Sequence, residues 1–142
     1  MIGQLYIYDS SENTWVDAGH AFGLSISDGA LSALLSPAPM KTYPSNKSRL
    51  ESGTRYIKVN PKVDERTITL PFHIIAASVN DFVSKYDALM ALLRSGEVRI
   101  KTSFQSGVIY KLLFQSITSF NYLDGMALFQ AKFIEPNPTD RT

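Results

Sequence analysis

Two histidines, His20 and His73, and no cysteine make up the chain's whole stock of imidazole and thiol side chains, the groups that titrate nearest neutrality. Nucleophilic catalysis of the Ser-His-acid kind needs a base held beside a hydroxyl, and neither histidine lies in a recognisable motif for it. No Gly-x-Ser-x-Gly elbow occurs. Gly29-Ala30-Leu31-Ser32 lacks the flanking glycines that let a sharp strand-to-helix turn expose a serine. His73 alternates with apolar neighbours in an extended segment, which suits a structural or surface histidine. Metal sites fare no better: the histidines stand apart without a carboxylate at ligand spacing. Asp9-Ser10-Ser11-Glu12 lacks the central Gly and terminal Glu of a calcium loop and reads as a polar turn. Phosphate-cradling glycine loops are missing, and nothing marks a pair of carboxylates for glycoside cleavage. The expectation is a protein that is not an enzyme and carries no cofactor.

The charges say something more. A formal net charge of +1 over 142 residues removes the main sequence argument for general nucleic-acid binding, which needs basic residues in large excess. Charged residues make up 19%, below the roughly 25% of ordinary soluble domains, a share met both where exterior surface meets another subunit and in ordinary β proteins. The basic residues are nevertheless concentrated. Lys41, Lys47, Arg49, Arg55, Lys58, Lys62 and Arg66 stand against Glu51, Asp64 and Glu65, so 41–66 carries seven positive and three negative side chains, a local +4. Tyr43 and Tyr56 interleave with them. Two readings follow: an ion-pairing surface toward acidic patches on a neighbouring subunit or toward DNA, or a solvated loop whose charges pair locally, such as Arg49 with Glu51. Cysteine's absence excludes disulfides and thiolate zinc, so the fold must stand on packing. No signal peptide and no apolar run near the roughly 18 residues needed to cross a bilayer are present.

The elements that position these residues read as one domain over 1–142. Ile2–Tyr8 and Thr14-Trp15-Val16 flank the turn cluster 9–13 as a hairpin. Phe22, Leu24 and Ile26 share a parity and predict a short strand. Asp28 is placed to cap a brief helical turn through Ala30, Leu31, Leu34 and Leu35, ended by Pro37. From 36 to 53 the prolines Pro37, Pro39 and Pro44 and the lack of any period predict a long connecting loop. Arg66–Ile74 alternates cleanly, with Ile68, Leu70, Phe72 and Ile74 on one side. Pro71 places that strand at an edge, or bulged, at that point.

Ser78-Val79-Asn80-Asp81 has the form of a capping box. Phe82, Tyr86, Leu89, Met90 and Leu93 then form one apolar stripe, and Gly96 stops the helix, predicted over about 79–95. Strands follow at Glu97–Lys101, Val108–Phe114, Ile117–Tyr122 and Met126–Ile134, the last pair joined by Asp124-Gly125, a strong hairpin signal. Residues 136–142 form a tail that cannot continue a sheet. The order of elements predicts an α+β, mainly β fold, an antiparallel β-sandwich or barrel flanked by one α-helix.

Three pieces of the chain resemble small tail proteins encoded in phages and prophages of Bacteroides-like bacteria. They are the stretch from Ala38 to Gly53, Pro61-Lys62-Val63-Asp64-Glu65-Arg66 running into the alternating strand, and Glu135-Pro136-Asn137-Pro138. More broadly, an Asp-Glu-Arg-led strand, a helix of the Asp81-Phe82-Val83-x-x-Tyr86-x-x-Leu89 kind and a Gly-Glu turn are similar to the amino-terminal domain of distal tail proteins, over roughly Leu24 to Pro138. The resemblance implies a tail-tube-like domain that forms rings, commonly hexameric, with copies of itself and meets other tail or baseplate proteins. Its place would be the virion tail, reached from the host cytoplasm during assembly, with no membrane partner and DNA met only as it passes a ring lumen. It also implies that the long loop reaches the adjacent subunit, with Lys41, Tyr43, Asn46, Arg49 and Arg55 as the interface residues. Distal tail proteins usually carry a further carboxy-terminal domain, and this sequence stops at Thr142, which leaves a minimal version, a tube subunit or a tail-completion protein. The alternative function is a small nucleic-acid or acidic-ligand binding module using 41–66.

Overall fold

The computed structural model describes residues 4–43, 45–46, 52–56 and 60–142, with backbone alone at 46, 55 and 56. Strands β1 (Leu5–Asp9) and β2 (Thr14–Asp17) form the expected amino-terminal hairpin, followed by helix α1 (Ala18–Phe22) and strand β3 (Leu24–Ile26). Helix α2 (Ala30–Leu35) precedes two short strands, β4 (Ser45–Asn46) and β5 (Arg55–Tyr56). Then come β6 (Arg66–Ile75), α3 (Val79–Leu93), β7 (Glu97–Thr102), β8 (Tyr110–Leu123) and β9 (Met126–Glu135). Seven strands form one antiparallel sheet in the order β2-β1-β7-β8-β9-β6-β3, and β4 pairs β5 in a sheet of their own. The fold is α+β and mainly β, flanked by α3 as the sequence predicts.

One face of the sheet supplies the core. Along β6 the side chains of Arg66, Ile68, Leu70, Phe72 and Ile74 are buried, and β9 answers with Ala127, Phe129, Ala131, Phe133 and Glu135. Helix α3 lays its predicted stripe on this face, with Phe82, Leu89, Met90 and Leu93 buried. The Phe82 ring lies 4.8 Å from Tyr122 and Tyr86 lies 6.2 Å from Phe129, so aromatic edges and faces fill the helix-sheet interface. Ser78 caps the helix by accepting from the Asp81 N–H. The Asp81 carboxylate reaches past it to the Ala77 N–H.

Three local expectations change. Phe22 ends helix α1, which Asp17 caps by accepting from the Gly19 N–H, so the strand begins only at Leu24. Asp28 does not cap α2; Gly29, at φ 92°, occupies the cap position without a side-chain bond. The two strands expected at 108–114 and 117–122 are one 14-residue strand, β8, kept in register with β9 by irregularities between Phe114 and Ser116 and between Ile117 and Ser119. Each bulge inserts one extra residue, which returns Phe114, Ile117 and Phe120 to a common face despite their spacing of three.

The expected edge at Pro71 is local. Strand β6 lies between β9 and β3, and Pro71 sits where β3 ends. The Pro71 carbonyl accepts from the Ser27 N–H, while the Ser27 carbonyl is taken by the Ala30 N–H as α2 begins. No amide is needed from residue 71, and proline is tolerated there.

Gly23 shows where backbone approach constrains the sequence. Its φ is 62°, and a Cβ there would lie 2.4 Å from the Ile75 carbonyl oxygen. Gly29 has positive φ but open space around it. Gly23→Ala is expected to cost roughly 2–4 kcal/mol and Gly29→Ala only about 1 kcal/mol. Urea unfolding midpoints of the two variants check this; equal losses would mean that the Ile75 contact contributes nothing.

Candidate assembly surfaces

The basic segment is not a plain loop. Met40 bridges Val63, the Lys41 N–H donates to the Lys62 carbonyl, and the Asp64 N–H donates to the Pro39 carbonyl. Further out, Ser45 pairs with Tyr56 and Asn46 with Arg55. Among the described residues these pairings set 39–41 antiparallel to 62–64 and 45–46 antiparallel to 55–56, the two paired stretches of an arm. Of the residues expected to meet a neighbour, Lys41 is exposed, Tyr43 is half-buried, and Asn46 and Arg55 are ladder partners; Arg49, and with it the Arg49–Glu51 pair, lies outside the described residues.

Arg66 does not belong to that basic surface. Its side chain is buried beneath the root of the arm and faces the core. Nη1 donates to the carbonyls of Leu34 at 2.8 Å and Ser36 at 2.6 Å, which close the carboxy-terminal end of α2 where the helix dipole favours a cation. Nε lies 2.9 Å from Glu135 Oε1, an ionic contact whose N–H is not aligned as a hydrogen bond, and Nη2 has no acceptor among the described residues. The fully buried Glu135 carboxylate also receives both arms of Arg141, Nε on Oε2 and Nη2 on Oε1, each at 3.0 Å. The Tyr110 ring lies beneath both guanidinium groups, 5.7 Å from Arg66 and 4.9 Å from Arg141. Burial pulls the Arg66 pKa below its ordinary value, opposed by Glu135, whereas the Glu135 hydrogen bonds raise that of Arg141.

The tail is therefore docked. Besides Arg141, the Ile109 N–H donates to the Arg141 carbonyl, and Lys111 binds both oxygens of Asp140 at 3.0 and 2.9 Å. Residues 136–142 lie beyond β9, and sequence reasoning missed their attachment to β8 and Glu135. Glu135 as the last inward residue of an alternating strand was the available signal: a carboxylate at a core position demands a buried cation.

The opposite face of the sheet carries an exposed apolar row. Ile75, Met126 and Leu123 are register partners across β6, β9 and β8, and Leu128 stands one step along β9. Ile75 is 58% exposed and Leu123 64%, well outside ordinary burial for such side chains. Next to this row the His73 Nδ1 is 2.9 Å from the Ser27 hydroxyl, and burial lowers the histidine's pKa. His20 is exposed on α1. Among the described residues no group of three or more His, Asp or Glu could hold a metal ion, and no helix is long and apolar enough to cross a membrane.

Neither a protein-family model nor a curated protein matches the sequence. The fold does match solved structures. The crystal structure of the SPP1 Dit protein, described as a paradigm of hub adsorption apparatus in phages infecting Gram-positive bacteria, is similar at a TM-score of 0.66 and 12% identity. The likeness covers 94% of this chain and 50% of that one, so this chain spans about half its length. At that identity the likeness establishes the fold.

Two outcomes follow for stability. Glu135→Ala leaves the buried Arg66 guanidinium, and the partly exposed one of Arg141, without their counter-charge and is expected to cost about 3–5 kcal/mol in urea unfolding; a loss below 1 kcal/mol would show that the cluster is not a structural anchor. For His73 the folded pKa lies below the unfolded value near 6.5. The unfolded chain then binds the proton more readily, so its contribution is intact above pH 6.5 and declines as pH falls through that value. His73→Gln is expected to flatten the change in urea midpoint between pH 7.5 and 5.5, a window above that of Asp9, Asp81 and Asp140, whose pKa values are lowered from 3.8.

Proposed function

We propose that this protein is a non-enzymatic structural subunit of a phage or prophage tail that assembles with copies of itself into a ring, as a distal tail, tube or tail-completion component. The observation that carries the reading is the fold shared with the SPP1 Dit protein over 94% of this chain. The family resemblance of the 38–53, 61–66 and 135–138 segments supports it from the sequence side. The surface is consistent with it: an arm with its own sheet, and a row of exposed apolar side chains across three strands. On this reading the chain acts by burying surface between identical neighbours, with other tail or baseplate proteins as further partners and the virion tail as its location.

Size-exclusion chromatography with light scattering is the direct test. The expected species is a closed assembly several times the 15.8 kDa subunit mass, with rings visible by electron microscopy. A strict monomer at high concentration, with no ring in micrographs, would count against the proposal.

A further inference from the structure

Strand β8 is covered along only part of one side. Strand β7 pairs with Tyr110–Leu113, and beyond Leu113 no strand lies on that side among the described residues. Two register irregularities fall in this open half, so Gln115 and Thr118 have no register partner on β9, while Phe114 and Ile117 pack toward the core. The result is a cleft between the second half of α3 and β8. Its volume is about 650 Å³, and Tyr86, Leu93, Phe114 and Ile117 form its apolar lining. That size falls within the roughly 300–1,000 Å³ of clefts that bury a ligand. Arg94 is the one charged residue of the lining, exposed and in no ion pair among the described residues. A group that fits here is apolar, convex and singly negative.

The far end of the same strand has that character. The β8–β9 turn, Leu123-Asp124-Gly125-Met126, presents exposed Leu123 and Met126 with exposed Asp124 between them, and Asp124 makes no ion pair among the described residues. Ile75, the register partner of Met126, widens the apolar tip. The turn is also held in place. The Gly125 N–H donates to the Tyr122 hydroxyl at 3.0 Å, and the Gly125 carbonyl accepts from the Ala76 N–H at 2.8 Å. A tip already ordered loses little freedom on docking. It cannot reach the cleft of its own chain, because the strand from Ser116 to Leu123 keeps them roughly 20 Å apart at about 3.3 Å per residue.

We infer that the β8–β9 turn of one copy inserts into the α3–β8 cleft of a second copy, with Leu123 on the apolar lining and Asp124 paired with Arg94. This rests on the ring reading above and names the two surfaces that meet. Burial of Leu123 supplies adhesion, and the single pair of opposite charges sets orientation. Tip and cleft are different patches, so the contact is head-to-tail, the kind that closes into a ring, whereas pairing of two tips would stop at a dimer.

Light scattering across a concentration series reads the contact. Asp124→Asn removes the charge but keeps a residue that accepts the φ of 46° at this position. It and Arg94→Gln are each expected to weaken self-association about fivefold, and the double variant is expected to be about as weak as either single one. Leu123→Ser is expected to weaken it about tenfold. Circular dichroism of each variant establishes that the subunit stays folded. The chain has no cysteine, so introduced thiols report proximity: Asn121→Cys and Gln115→Cys proteins, both positions being exposed, are mixed and treated with a short bismaleimide. A cross-linked pair containing one of each is expected. Rings that form without that pair and are unchanged by Leu123→Ser and Asp124→Asn would overturn this inference and leave the ring reading standing. Cross-links between two Asn121→Cys chains alone, at dimer mass, would show tip-to-tip pairing and overturn it too. A chain that neither associates nor cross-links would overturn both readings.

Discussion

The position of Glu135 between Arg66 and Arg141 is the constraint on which the architecture closes. Arg66 and Glu135 begin β6 and end β9, and they are opposite partners in the longest unbroken ladder of the sheet. A carboxylate with no exposure needs counter-charge and hydrogen bonds, and Glu135 receives them from the buried guanidinium of Arg66 on one side and the partly exposed one of Arg141 on the other. Each member makes sense only with the others. The same guanidinium of Arg66 satisfies carbonyls left unpaired at the end of α2, and Arg141 brings the tail against β8 through the Ile109–Arg141 backbone bond. One cluster thus joins the sheet, a helix and the carboxy-terminal segment. Buried ion pairs add little stability over a packed apolar replacement, but they tolerate few alternative arrangements.

What was legible in the sequence follows from how locally each feature is determined. Helix α3 announced itself through Ser78, its apolar stripe and Gly96, all within one segment. Strand β6 did so through strict alternation, and the β8–β9 hairpin through Asp124-Gly125, whose φ values of 46° and 80° are those the turn demands. Features set by distant partners were not legible. Arg66 read as part of a basic run because its neighbours are basic, yet alternation with Ile68 and Leu70 put it on the inward face. Strand β8 read as two because Phe114, Ile117 and Phe120 break period two, and only the pairing with β9 turns that spacing into bulges. Helix α1 was missed because five residues carry no period.

The candidate surfaces divide in the same way. The concentration of charge in 41–66 was visible from composition. That the two ends of the segment pair at its base depends on Met40 meeting Val63, twenty-three positions away. The row of Ile75, Leu123 and Met126 was equally invisible, since each occupies an ordinary outward position at the end of its own strand. Only the three-strand register makes them neighbours.

The root of the arm lies next to the buried cluster. Asp64 closes the arm's ladder onto Pro39, and two residues later Arg66 is fixed by α2 and Glu135. On the other strand, Pro39 follows three residues after Ser36, whose carbonyl Arg66 also holds. Both strands of the arm therefore leave the body from points fixed through one side chain. A segment whose base is held at both strands has less conformational freedom than a free loop of equal length. The same cluster that satisfies the core also holds both ends of the segment at 36 and 64–66, so a change at Arg66 would loosen the base of that segment as well as the core although its side chain never reaches the surface.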